Sequence, residues 1–204
     1  MKTLVVTYLP RSERSKTKMV LDAFLSQAKQ KGDIQVLDLI SDTPDMFLGE
    51  NLMAYVLKYY AGQKLTAHQQ KLLDGMEKLA RQFKSADAVV VAYPMYNFSM
   101  PAVVKAYFDA VLLKGITWDM DGSGYKGLMS GKKALIVLSA GGDYSTQQMA
   151  GWEHALSLTK TLFAFCGFSD IREVPAWSAN GPNAGESVKK ASEAARKVAQ
   201  DWNI

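Results

Sequence analysis

With 204 residues, 48% of them hydrophobic, the chain is long enough to bury one substantial core and does not demand two. Its net charge of +4 comes from Lys and Arg spread along the sequence, with no basic arm, aromatic-basic interleaving or zinc-ligand spacing, which argues against nucleic acid as a partner. The lone Cys166 excludes an internal disulfide and a cysteine-based metal site, and no run approaches the roughly 18 apolar residues of a membrane span.

The opening, MKTLVVTYLPRSERSK, turns to proline and charge after Val6, so the expectation is a cytoplasmic protein without a membrane anchor, folded as a single domain over 1–204. Apolar runs at Leu4 to Val6, Ile34 to Leu37, Val89 to Ala92, Ala134 to Leu138 and Ile171 to Val174 predict five strands. The segments between them are long enough for helical crossovers, which gives a doubly wound parallel α/β sheet with helices on both faces. Lys16 to Lys31 reads as the first helix, with Gly32 just beyond its end. Pro44 to Gln63 is an insertion rich in Leu52, Tyr55, Val56, Leu57, Tyr59 and Tyr60, apolar enough to cover a partner subunit. Ala184 to Trp202 repeats its apolar residues at threes and fours and is a core helix. Cys166 is read as a small buried residue.

In a parallel sheet all carboxyl ends point one way, so the loops after the first, third and fourth strands lie side by side. The first, Tyr8 to Thr17, carries the hydroxyls of Ser12, Ser15 and Thr17 and the cations Arg11 and Arg14 into a helix start. That composition suits an anion, held by free amides and the helix dipole; the plain alternative is a helix cap. The second loop, Pro94 to Pro101, offers Met95, Tyr96, Asn97 and Phe98, flat groups and an amide that suit a planar heterocycle, or merely pack. The third, Ser139-Ala140-Gly141-Gly142, lets backbone come close to a ligand or makes a tight turn. Together the three suggest a phosphate joined to a flat ring system.

Two phosphate-loop motifs are decoys. Gly122 to Gly127 spells G-x-G-x-x-G but does not join a first strand to a helix, and Gly127 to Lys133 lacks the spacing and the Ser/Thr of a P-loop. The sequon Asn97-Phe98-Ser99 is set aside because nothing directs export.

Pro94-Met95-Tyr96-Asn97-Phe98 with Pro101, Lys105, Phe108-Asp109 and Gly115-Ile116-Thr117-Trp118 resembles the FMN-dependent NADH-azoreductase and NAD(P)H quinone reductase family. The resemblance extends through Ser15-Lys16-Thr17 and Ser139 to Gly142. It implies a flavodoxin-like fold, FMN as tightly bound cofactor, NADH or NADPH as co-substrate, a quinone or azo compound as acceptor, and a homodimer. By the same resemblance, Ser15, Lys16 and Thr17 form the phosphate loop, although the family often has Ser where this chain has Leu9, which shifts weight to Arg11, Ser12 or backbone amides. Pro94 to Phe98 embrace the isoalloxazine, Ser139 to Gly142 face its pyrimidine end, and Trp118, with Tyr144 and Phe165, stands on the substrate side. No metal is implied, and no catalytic residue, since the chemistry resides on the flavin. His154 reads as a helix residue, and product protonation is left to water, Tyr96, Tyr144 or Tyr125.

The implied reaction is a two-step exchange in which hydride passes from nicotinamide to flavin and then to the acceptor in the same flat pocket. Two other readings fit a flavin site on this fold: a flavodoxin-type electron carrier, and a flavin-bound regulatory or interaction protein.

Overall fold

A computed structural model describes residues 1–28 and 33–204. Five parallel strands, β1 (Lys2–Thr7), β2 (Asp33–Asp38), β3 (Ala88–Pro94), β6 (Lys133–Ser139) and β7 (Asp170–Ala176), lie in the order β2-β1-β3-β6-β7. A separate antiparallel pair, β4 (Trp118–Asp121) and β5 (Gly124–Gly127), interrupts the series. The helices are α1 (Lys16–Ala28), α2 (Glu50–Tyr59), α3 (Ala67–Ser85), α4 (Ala102–Val111), α5 (Leu156–Cys166) and α6 (Ala184–Trp202). The remainder of the helix expected to reach Lys31, and Gly32 after it, lie outside the described residues.

The central strands are apolar on consecutive residues because both of their faces are covered. In β3, Val89, Val91 and Tyr93 point into the core beneath α3, α4 and α5, while Ala88, Val90 and Ala92 point to the core beneath α1 and α6. Burying each of these large side chains contributes on the order of 1.5–3 kcal/mol. A satellite cluster of Tyr55, Leu73, Met76 and Leu113 joins α2 to α3 and to the end of α4. The insertion expected at Pro44 to Gln63 is therefore largely the helix α2, clamped by Glu77, which accepts from Lys58 Nζ at 2.6 Å and Tyr59 Oη at 2.8 Å. The motif GSGYKG forms the turn and second strand of the β4–β5 hairpin, as its position ahead of β6 requires. No helix among the described residues is long and apolar enough to cross a membrane.

Chain direction fixes where each connection lies. Loops leaving β1, β3, β6 and β7 gather at the carboxyl edge of the sheet, and the reversal of strand order between β1 and β3 opens a crevice there. Helices α4 and α5 run back, so the residues after α4, including the hairpin, reach the amino edge.

Candidate functional site

Arg11, Ser15 and Lys16 of the first loop, Pro94, Met95 and Tyr96 of the second, and Ser139, Ala140 and Gly141 of the third line one cavity of about 120 Å³ at the carboxyl edge. Pro10, Ala179 and Asn180 complete its wall. Thr17 lies beneath: its hydroxyl and that of Ser139 share a buried hydrogen bond of 2.7 Å, tying the first turn of α1 to the end of β6 across β3. Tyr96 also lines a wider cleft of about 620 Å³ with Asn97, Met100, Lys105 and Leu158. Clefts of similar size lie between α2 and α3, away from all three loops, and beside α6, where of these loops only Asp143 and Ser145 after β6 take part, so volume alone does not identify the site.

The first loop turns through Ser12, whose φ of 46° is left-handed, into the short turn Ser12–Arg14. Ser15, 5% exposed, accepts from the Lys18 amide at 3.2 Å, so it caps the helix as well as lining the cavity. Neither Arg11 nor Lys16 forms an ion pair with a carboxylate among the described residues, which leaves two cations beside the first-turn amides of α1, groups that have no acceptor within the helix. Leu9 packs against the core under α1 and offers nothing polar here.

The second loop is a tight reversal. Tyr96 N–H donates to Ser99 O and Ser99 N–H to Tyr96 O, both at 3.0 Å, around Asn97 and Phe98 with φ of 46° and 71°. Left-handed backbone at a phenylalanine costs about 1–3 kcal/mol and persists where its surroundings enforce it. Here Met95 N–H donates to Ser139 O at 2.8 Å, His154 N–H donates to Phe98 O at 2.8 Å, and Trp152 packs edge-on to the Phe98 ring at 5.1 Å. His154 lies just ahead of α5 rather than within a helix, and it acts through its backbone. Asn97 and Phe98 stand at the cavity's rim, not in its wall, as does Tyr144, whose ring lies 6.5 Å from Phe98 and 5.6 Å from Trp177. Burial, with Tyr8 adjacent, raises the Tyr96 pKa against the opposing charge of Arg11, so its hydroxyl stays protonated at neutral pH.

The third loop's glycines are not left-handed, and neighbouring side chains lie over them. A Cβ on Gly141 would lie 2.8 Å from Asn180 Nδ2, and one on Gly142 3.3 Å from the Tyr144 ring. Asn180 belongs to a fourth loop, after β7, which the three-loop reading left out although it leaves the sheet at the same edge. That loop is stitched to the third by Ala179 N–H to Ala140 O at 2.8 Å and Ser178 N–H to Gly142 O at 2.9 Å.

Trp118 and Phe165, expected beside the flavin, are not brought to this cavity. Their rings pack 5.2 Å apart, with Tyr125 5.7 Å from Trp118, and Trp118 Nε1 donates to Leu112 O at 2.9 Å. The hairpin carrying Trp118 sits against the end of α5, where Met129 N–H donates to Cys166 O at 2.8 Å, next to the start of β6. They occupy the opposite end of the strands because α4 and α5 carry the chain back there. Cys166 is buried, and burial pushes its thiol up to about 12. No group of three or more His, Cys, Asp and Glu residues placed to hold a metal occurs among the described residues.

The flavodoxin-like fold family matches residues 1–199. An FMN-dependent NADH:quinone oxidoreductase of Nitratidesulfovibrio vulgaris (strain DP4) is 33% identical over 98% of this chain and 98% of its own length. The chain belongs to this flavodoxin-like oxidoreductase family. Solved family structures superpose closely: an azoreductase from Bacillus anthracis str. Sterne gives a TM-score of 0.91 at 26% identity, covering 98% of this chain and 99% of its own. An FMN-dependent NADH-azoreductase from Bacillus anthracis str. Ames Ancestor, solved in complex with FMN, gives 0.90 at 26% identity, covering 98% of each chain. The strand order, the family's flavodoxin-like fold and enzyme relatives that match end to end make this chain an oxidoreductase.

Proposed function

We propose that the protein is a cytoplasmic FMN-dependent NAD(P)H oxidoreductase, a single FMN-binding unit over 1–204, that reduces quinones and azo compounds by two-electron ping-pong transfer. The observation that carries the reading is the gathering of two uncompensated cations, a helix start and two strained or glycine-bearing loops around one cavity. The donor set fits the cofactor. Arg11, Ser15, Lys16 and the amides opening α1 suit a phosphate, with Thr17 and Ser139 bracing them. Pro94, Met95 and Tyr96 with Ser139, Ala140 and Gly141 offer a wall to a ring, and Asn97, Phe98 and Gly142 stand beside it.

Bound FMN supplies the hydride chemistry, accepting from the nicotinamide and delivering to the acceptor. The chain's work is positioning. Met95 and Tyr96 would wall the ring, and the strained turn at Asn97 and Phe98 holds the polar rim. Tyr96, kept protonated, holds a proton at the rim.

The placement of Trp118, Tyr125 and Phe165 supports a homodimer. Tyr125 is 71% exposed and Met120 45%, and α2 presents Leu52, Met53, Val56 and Tyr60 to solvent. A two-fold axis across the α4/α5 face sets the aromatic end of one protomer beside the cavity of the other, and an isologous contact does this twice. Trp118, Tyr144 and Phe165 then border one acceptor site, with Trp118 and Phe165 contributed in trans.

Anaerobic stopped-flow mixing with NADH and NADPH tests the reading. Bleaching of the bound flavin within turnover time, followed by reoxidation with menadione or an azo dye, is expected. A flavin that neither nicotinamide reduces directly would sink it in favour of a one-electron carrier. Sedimentation at micromolar concentration is expected to give a dimer; a monomer with FMN bound would remove the trans contribution.

A further inference from the structure

We infer that Asn180 is a fourth-loop contact to the flavin, which hydrogen-bonds the polar edge of its ring and sets its reduction potential. This rests on the FMN reading above. Asn180 lines the same cavity as Arg11, Tyr96 and Ser139. Its carboxamide, with two donors and an acceptor, forms no hydrogen bond with the described residues, so all three positions are available.

The side chain is laid across Gly141. A Cβ there would lie 2.8 Å from Asn180 Nδ2 and 3.6 Å from its Cγ, so the glycine clears the space the amide occupies. The backbone beneath it is rigid: Ala179 is 5% exposed and donates to Ala140 O, Ser178 donates to Gly142 O, and Gly181 donates to Ser178 O at 2.9 Å. A left-handed Ser178, φ 55°, is held within that stitching. A braced backbone delivers the amide to the cavity at little cost in loop freedom on binding.

The chemistry on offer is specific. A flavin's pyrimidine edge alternates carbonyl acceptors with an N–H donor, and one carboxamide can meet both. Two-electron reduction places negative charge on that edge, so a neutral donor aimed there binds the reduced ring more tightly than the oxidised one. A carboxylate at the same position would do the opposite.

The test uses the purified holoprotein, with Asn180→Leu and the equally sized Asn180→Asp. FMN release on dilution is read by the fluorescence of free flavin, and the midpoint potential by equilibration with a reference dye. Asn180→Leu is expected to raise the FMN dissociation constant by roughly tenfold, the scale of one lost hydrogen bond. Its midpoint potential moves negative, and that of Asn180→Asp moves further. Gly141→Ala, which pushes the amide aside, is expected to reproduce Asn180→Leu, and combining the two adds little. Asn180 is exposed, so melting temperatures should stay close to wild type and separate this effect from misfolding. Wild-type protein that takes up FMN, with an Asn180→Leu variant unchanged in both affinity and potential, overturns the role of Asn180 alone. Wild-type protein that takes up no FMN overturns the cofactor reading and this inference together.

Discussion

The two ends of the central strands handle difficult backbone in opposite ways. In the loops after β1, β3 and β7, at the carboxyl edge, left-handed backbone falls on Ser12, Asn97, Phe98 and Ser178, whereas the connection after β2 uses Gly49 and Gly62 on either side of α2. Around the amino edge, the connections after α4, through the hairpin and after α5 place left-handed backbone on Gly115, Gly124, Gly131 and Gly167, and Asn203 at the end of α6 is the exception there that carries a side chain. The end that only has to close the fold uses the residue that makes a turn easy. The loops around the cavity keep strained side-chain-bearing residues and hold them with neighbouring hydrogen bonds, a distribution expected where strain serves a site.

The sharpest way to break the comparison is at Gly127, which is glycine for space. A Cβ there would sit 2.3 Å from Cys166 C and Gly167 N, backbone atoms that cannot swing away. Gly127→Ala forces the hairpin off the end of α5, and overpacking of this kind costs about 3 kcal/mol, or roughly 6–12 °C in melting temperature for a chain of this size. Scanning calorimetry checks this, and FMN affinity of the folded protein is expected to hold, since the cavity is at the other end. A large loss of flavin with little loss of stability would mean that the two ends are not separable in this way.

A smaller effect is expected at Glu77, which anchors α2 between the two ends. It is 4% exposed, and desolvation raises its pKa, but hydrogen bonds from Lys58, Tyr59 and Arg81 outweigh that and leave it lowered. Glu77→Gln removes the charge from three charge-assisted contacts, two of them to partly exposed cations, and is expected to cost about 2 kcal/mol. Because the folded pKa lies below its unfolded value, the carboxylate's contribution is complete above the ordinary glutamate pKa of about 4.3 and is lost as pH falls through the lowered folded value. The gap between wild type and Glu77→Gln in urea midpoints should therefore be constant near neutrality and close in acid. A gap that widened below pH ~4 would show that the wild-type carboxylate is not the anchor.

How much of this was legible in sequence follows from what each signal depends on. The five strands were readable because burial on both faces makes Val89 to Ala92 and Ala134 to Leu138 continuous apolar runs, independent of tertiary detail. The hairpin was not: WDMD and GYKG are four-residue strands with no apolar alternation, held by packing against α5. The meeting of three loops at one cavity was legible from the rule that carboxyl ends share an edge, and the same rule applied to the fifth strand would have added Ala179 and Asn180. That Trp118 and Phe165 lie away from the cavity of their own chain was not legible, because resemblance names a residue without saying which end of the sheet it occupies; the direction of α4 and α5 decides that. The nearness of a Cβ on Gly141 to Asn180 is a relation between distant residues that composition does not carry.

The smallest effect sharpens the comparison from the carboxyl side. Thr17 and Ser139 exchange one hydrogen bond of 2.7 Å, and Thr17 is fully buried, so Ser139→Ala leaves the Thr17 hydroxyl without its partner. That costs about 1 kcal/mol, roughly 2–4 °C, far less than Gly127→Ala. Its effect on ligand binding should be the larger of the two, because this bond connects the cation-bearing first turn of α1 to the third loop. Thr17→Val removes the same bond from the other side while keeping the shape, and the double variant should lose little more than either single one, as expected for partners in one contact. Flavin-release measurements on the three variants beside Gly127→Ala then order the two ends by function as calorimetry orders them by stability. If Ser139→Ala released no more flavin than Gly127→Ala, the bond would be ordinary core satisfaction, and the brace between the first and third loops would have to come from backbone alone.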